Sequence, residues 1–100
     1  MKIIWSERAL TDLREIKAWI VADSPCYALR VMERIVQQAE LLETMPRRGH
    51  AVPEAQHTDI LEVHAEPYRI IYKVSAESVG ILTLVHMARN LGLFNSDEKG

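Results

Sequence analysis

The sequence lacks most of the features by which secreted and membrane proteins are recognised. Cys26 is the only cysteine in 100 residues, so an intrachain disulfide is excluded and a reducing compartment is the default expectation. No apolar run approaches the ~20 residues that span a bilayer, and the first residues show no signal-peptide pattern. We therefore expect a cytoplasmic protein that makes no membrane contact.

Motifs that carry enzyme chemistry are also missing. The sequence has no glycine-rich phosphate loop, no nucleophile elbow and no HExxH, and its histidines and single cysteine do not follow a zinc-site spacing. We expect neither a metal nor a cofactor. Any catalysis would have to rest on dispersed side chains.

An excess of positive charge is absent as well. The formal net charge is −2 and the pI is about 6.1, whereas a domain that grips nucleic acid is usually basic. A phosphate-binding patch would therefore have to be small and local.

The residues that are present favour one small globular domain. A hydrophobic content of 48% and a charged content of 26% are those of an ordinary soluble protein, and the length suffices for a modest core. We predict a single domain over residues 1–95, with residues 96–100 forming a frayed charged tail.

Two amphipathic helices are predicted in the first half. Ser6 is placed to cap a helix over residues 7–22, and Ser24 with Pro25 to begin a second helix that runs to about Met45. Their short connection favours an antiparallel hairpin. The apolar stripe of the first helix comprises Ala9, Leu13, Ile16 and Ile20, widened by Leu10 and Trp19, and that of the second comprises Ala28, Met32, Ile35, Ala39 and Leu42.

Strands are predicted at residues 2–5 and, in the second half, at 59–64, 67–74 and 79–87. The short connections among the last three favour an antiparallel meander. The fold class is therefore α+β, in the order β-α-α-β-β-β, with the helical hairpin packed on one face of an antiparallel sheet. Residues 46–58 form a long aperiodic loop, which is a candidate functional element.

The central strand, PYRIIYKV, raises the question of function. Tyr68, Ile70 and Tyr72 alternate with Arg69 and Lys73, so one face is predicted to be core and the other to carry two cations. These cations could stabilise a phosphate in a transition state, form a binding surface, or belong to a solvated face.

Other side chains offer acid, base or contact groups. His64 and His86 lie near strand ends that would flank the central strand, and His50 lies in the loop. Imidazoles are common general acids and bases, although each could equally be structural. Arg47 and Arg48 are predicted to face solvent. Trp5 and Trp19 are predicted to be buried between helix and sheet, with partner contact as the alternative.

Several stretches together resemble the ParE/RelE toxin superfamily, the toxin halves of type II toxin–antitoxin pairs. These stretches are WSERALTDLREIKAWI, SPCYALRVMERI, LLETMPRRG, PYRIIYKV and ILTLVHMAR, which cover nearly the whole chain in the expected order. The resemblance implies the same β-α-α-β-β-β fold and two alternative mechanisms. RelE-like members cut messenger RNA on the ribosome, and ParE-like members poison DNA gyrase.

The resemblance assigns roles to individual residues. Arg69 matches the arginine of the central strand and Arg89 the arginine after the last strand. The RelE branch typically adds a tyrosine or histidine close to the C-terminus, where this chain has Phe94, which cannot exchange a proton. We therefore favour a gyrase-inhibiting toxin that is not an enzyme. The alternatives are a ribosome-dependent nuclease using Arg69, Arg89, His64 and His86, and an inactive module that only binds the antitoxin.

The implied partners are a cognate antitoxin and gyrase, or the ribosome and mRNA in the nuclease alternative, and a homodimer is a further arrangement to test. The antitoxin is expected in an apolar groove that includes Trp5, Leu13, Trp19 and Ile20. The candidates for the functional surface are Arg69, Lys73, His86, Arg89, Arg47 and Arg48.

Overall fold

The structure is a computed structural model, and it describes residues 1–55 and 59–88. The predicted tail, residues 96–100, lies outside the described residues. The elements are, in chain order, β1 (Lys2–Trp5), α1 (Glu7–Val21), α2 (Pro25–Leu41), β2 (His50–Ala51), β3 (Ile60–Ala65), β4 (Tyr68–Val74) and β5 (Ser78–His86).

The five strands form one sheet in the order β1-β5-β4-β3-β2. Strands β3, β4 and β5 form the predicted antiparallel meander. The sheet as a whole is mixed rather than purely antiparallel, because β1 pairs with β5 in parallel. The two-residue strand β2 pairs with β3 in antiparallel fashion. The α+β class and the element order are confirmed, and β2 extends the order within the predicted loop.

Both helices begin at the predicted caps. The Ser6 hydroxyl accepts a hydrogen bond from the Ala9 N–H at 2.9 Å, and the Ser24 hydroxyl accepts one from the Tyr27 N–H at 3.3 Å. The second helix ends four residues earlier than predicted, at Leu41. Its last turn tightens, because the Leu42 N–H bonds to the carbonyl three residues back, as helix ends often do.

The main core lies between the helices and one face of the sheet. The aromatic face of β4, with Tyr68 and Tyr72, is buried there as predicted. The stripe of α1 is narrower than predicted, since Leu10 is 40% and Trp19 is 80% exposed. Trp19 precedes the buried Ile20, and adjacent helical residues are rotated by about 100°. The expected burial of Trp19 was therefore wrong, whereas Trp5 packs partly buried against the core.

The opposite face of the sheet is covered in part, so it is not the fully solvated face that was one of the three alternatives for Arg69 and Lys73. Val52, in the segment that follows β2, is buried against Ile71 of β4, and Ile60, Leu82 and Val85 pack around this pair. Because Ile71 lies between Arg69 and Lys73, a second small apolar cluster replaces what looked like a continuous cationic face. We call this side of the sheet the outer face.

Gly49 allows the loop before β2 to approach the sheet closely. Its N–H donates to the Tyr72 hydroxyl at 3.0 Å. A Cβ at this position would overlap the carbonyl oxygen of Glu62 and lie 2.6 Å from the Tyr72 hydroxyl. Burial raises the pKa of the Tyr72 hydroxyl, which keeps it neutral while it accepts this hydrogen bond. Only glycine fits this contact without displacement of the backbone.

Gly49→Ala is therefore expected to lower the free energy of unfolding by about 1–3 kcal/mol, the range for overpacked sites. Urea denaturation followed by circular dichroism measures the change. Gly80→Ala is the matched control, because a Cβ there meets no atom within 4 Å. Equal stability of the two variants would contradict this account of Gly49.

Candidate functional site

Arg69 is the centre of a buried charge cluster on the outer face. The residue is only 7% exposed. Its Nε donates to Glu62 Oε1 at 2.6 Å, and its two terminal nitrogens donate to the two Glu54 oxygens at 3.1 and 2.8 Å. Glu62 comes from the neighbouring strand β3, while Glu54 comes from the segment that also supplies Val52. We call Arg69, Glu54 and Glu62 the arginine cluster.

The hydrogen bonds of Arg69 show how its donors are used in this structure. The hydrogen bonding of the Arg69 side chain to Glu54 is the largest cause that raises the pKa of Arg69, so the guanidinium stays charged. Glu54 occupies the forked edge that would otherwise bind a phosphate in the bidentate manner. Arg69 is therefore neither solvated nor presented to a ligand.

Lys73 does not join this cluster. It is exposed, and its register partners are Ile60 and Gly80. Four residues along a strand separate the Cα atoms by about 13 Å, and the Arg69 guanidinium is bound by Glu54 and Glu62. In this structure Arg69 and Lys73 therefore do not converge on one site. The paired cations of the sequence prediction are thus two separate groups.

The histidines lie on two different faces of the sheet. His64 is the register partner of Arg69, and its Nε2 lies 3.6 Å from Glu62 Oε2. His86 instead pairs with Tyr68, and their ring centroids are 5.3 Å apart in an edge-to-face contact. Because Tyr68 belongs to the core beneath the helices, His86 is on the opposite side from His64 and Arg69. Arg89 lies outside the described residues.

A small polar pocket adjoins the arginine cluster at the β2–β3 edge. It has a volume of about 210 Å³ and is lined by Gln38, Arg48, Gly49, His50, Val63 and His64. The ring centroids of His50 and His64 are 6.4 Å apart. We call it the histidine pocket. The sequence marked these histidines as acid–base candidates, but only the register of β2 brings them together.

The loop arginines are exposed, as predicted. A terminal nitrogen of Arg48 donates to Gln38 Oε1 at 2.7 Å, and one of Arg47 donates to Asp59 Oδ1 at 3.0 Å. Arg48 lines the histidine pocket, whereas Arg47 binds Asp59 in the segment that leads into β3.

An apolar groove of about 500 Å³ lies at the other end of the sheet, between β1 and the helices. We call it the β1–helix groove. Trp5 and Leu13, two of the residues predicted to contact the antitoxin, line it. Ile20 is buried in the core and Trp19 is exposed elsewhere on α1. The full lining comprises Lys2, Ile3, Trp5, Leu10, Leu13, Val36, Ala39, Glu40 and Glu43.

The described residues also bear on metal binding and on membrane insertion. Within residues 1–55 and 59–88, no three or more His, Cys, Asp or Glu side chains are grouped so that they could hold a metal ion. None of the helices described is both long enough and apolar enough to cross a membrane.

The fold and sequence together define a toxin of the ParE/RelE type. Residues 3–91 match the family described as the ParE toxin of type II toxin-antitoxin system, parDE, and the chain belongs to that family.

Two curated relatives support this assignment. The chain is 38% identical over 85 residues to Putative toxin Y4kP of Sinorhizobium fredii, covering 85% of this chain and 86% of the relative. It is 34% identical over 88 residues to Toxin RelE2 of Caulobacter vibrioides, and the match covers 88% of this chain and 97% of that relative.

Solved structures show the same fold. The chromosomal ParDE system from P. aeruginosa superposes with a TM-score of 0.72 at 24% identity, over 86% of this chain and 95% of that one. The RelBE2 toxin-antitoxin complex from Mycobacterium tuberculosis superposes with a TM-score of 0.61 at 19% identity, over 85% of this chain and 95% of that one. Both the ParE and the RelE names thus occur among its relatives.

Proposed function

We propose that this toxin acts as ParE-like proteins do, by binding DNA gyrase and blocking replication without chemistry of its own. The observation that carries the proposal is the state of Arg69. Its guanidinium is bound by Glu54 and Glu62 and cannot stabilise a developing charge on RNA without losing Glu54.

Two further observations support the same reading. His86 lies on the opposite face of the sheet from His64 and Arg69, so within the described residues the nuclease set of the sequence prediction is not assembled. The net charge of −2 gives no general attraction to RNA, whose binding depends on the neutralisation of phosphates.

The purified toxin is expected to inhibit supercoiling by gyrase and to increase the amount of cleaved DNA in complex with the enzyme. Supercoiling gels and cleavage assays measure both effects. Toxin premixed with its antitoxin is the control and should leave gyrase unaffected. Unchanged supercoiling and cleavage at a large excess of free toxin would refute the gyrase proposal.

A second candidate is a ribosome-dependent mRNA endonuclease, which is favoured by the 34% identity to a relative named Toxin RelE2. It predicts cleavage of ribosome-bound message by the same preparation. Loss of this cleavage on replacement of the partly exposed His64, in a variant that remains folded, would support the nuclease. Absence of cleavage with gyrase inhibition intact would exclude it. Growth without arrest on expression of the toxin alone would instead favour the inactive antitoxin-binding module.

A cognate antitoxin is part of the proposal, and we place it in the β1–helix groove. The floor of the groove is apolar, with Ile3, Trp5 and Leu13, while Lys2 and Glu40 lie at its rim. An amphipathic helix or an extended apolar segment suits such a surface. The exposed Trp19 lies outside this groove and is available for a separate contact.

A further inference from the structure

The histidine pocket brings together three side chains that can donate hydrogen bonds from a positive charge. Arg48 and His50 come from the loop and β2, and His64 comes from β3. Arginine is always charged, and imidazole carries a charge when protonated. This combination of a guanidinium and two imidazoles on one small cavity is not used by the proposed gyrase function.

The backbone around the pocket is held in place. The Gly49 N–H donates to the buried Tyr72 hydroxyl at 3.0 Å, which fixes the peptide bond between Arg48 and Gly49. His50 is in register with Glu62 on β3, and Gln38 of α2 holds the Arg48 side chain at 2.7 Å. Donors that are fixed before a ligand arrives lose less conformational entropy on binding.

The charges around the pocket favour an anion. The carboxylate that faces His64 is Glu62, at 3.6 Å, and it already accepts a 2.6 Å hydrogen bond from Arg69. The Glu62 charge is therefore balanced by Arg69, which Glu54 balances further. Among the described residues that line the pocket, Arg48 always carries a positive charge, and His50 and His64 add ring N–H donors.

We propose that the histidine pocket binds a tetrahedral oxyanion, the phosphate group of a small phosphate-bearing molecule. Arg48, His50 and His64 supply the donors. The volume of about 210 Å³ is below the range of about 300–1,000 Å³ typical of whole-ligand sites. The pocket therefore accommodates a phosphate group, with the remainder of a larger ligand outside it. This inference is independent of the gyrase proposal.

Sulfate is the first probe, because it is a tetrahedral oxyanion of the same shape as phosphate. NMR spectra of the imidazole ring protons are recorded during a sulfate titration at constant pH. We expect saturable shifts of the His50 and His64 ring protons, because both rings line the pocket. His86, on the other face, is the internal control and should not shift.

Substitutions test the individual donors. Arg48→Gln and His64→Gln are each expected to weaken sulfate binding by about tenfold, as for the loss of a charge-assisted hydrogen bond. Arg30→Gln and His86→Gln are the matched controls, since Arg30 is an exposed arginine of α2 and neither residue lines the pocket. Sulfate binding that is equally strong in all four variants, or shifts that never saturate, would overturn the proposal.

Titrations with inorganic phosphate and with a nucleoside 5′-monophosphate test whether the pocket recognises the phosphate alone or a phosphate that carries a larger group. Equal affinities support recognition of the phosphate alone, and tighter binding of the nucleotide supports a phosphate that carries a larger group. Failure of both to shift His50 and His64 would contradict the proposal even if sulfate bound. The thermal unfolding midpoint of each variant confirms that it is folded.

Discussion

Arg69→Met is expected to lower the free energy of unfolding by about 3–5 kcal/mol, the effect of removing one partner from a buried ion pair. The substitution keeps a similar volume but removes the guanidinium that Glu54 and Glu62 contact at 2.8 and 2.6 Å. A domain of this size is stable by only about 5–15 kcal/mol. The variant should therefore be close to unfolding, as measured by urea denaturation.

Lys73→Met is the matched control on the same strand. Lys73 is exposed, and exposed substitutions usually change stability by no more than about 0.5 kcal/mol. Adding Glu54→Gln and Glu62→Gln to Arg69→Met should recover part of the loss, because the two carboxylates that contacted the guanidinium then no longer carry a charge. A mild effect of Arg69→Met, equal to that of Lys73→Met, would contradict the buried cluster.

Leu10→Glu is expected to weaken binding of the antitoxin by about a hundredfold, or ~2.7 kcal/mol, within the range of interface hot spots. Leu10 lines the β1–helix groove and is 40% exposed, so a carboxylate there leaves the core of the toxin intact. The bound partner would have to bury this charge against apolar side chains. Isothermal titration calorimetry with the purified antitoxin measures the loss.

Leu29→Glu provides the control for this prediction. Leu29 is also a helical leucine, 61% exposed, but it does not line the groove. It should therefore leave the antitoxin affinity within about twofold of the unaltered toxin, or ~0.4 kcal/mol. If the two variants bind the antitoxin equally, the antitoxin docks elsewhere, and the exposed Trp19 becomes the next residue to test.

The features that the sequence predicted well depend on neighbours within a few residues. Ser6 and Ser24 cap helices because the hydroxyl and its N–H partner are three residues apart. The aromatic face of β4 follows from the alternation of side chains in a strand. Both signals can be read without knowledge of how the elements pack.

The features that it missed depend on segments that are distant in sequence. Glu54 lies in an aperiodic stretch, 15 residues before the guanidinium that it binds, and no local pattern pairs the two. His86 was grouped with His64 because both are near strand ends, and only the register with Tyr68 assigns it to the other face. Ile71, between the two cations of β4, was the one available sign that the outer face is covered.

The parallel pairing of β1 with β5 also affects how the toxin is made. Lys2 is in register with Ser78, and Trp5 with Ile81, so the first strand finds its neighbour only after most of the chain has left the ribosome. Such distant contacts cost loop-closure entropy and slow folding. The helices are synthesised earlier, and their apolar faces are covered only when the later strands pack on them, chiefly β5 on α1 and β3 on α2. A nascent chain therefore completes this sheet only after β5 has been synthesised, and a product truncated before Ser78 cannot pair its first strand.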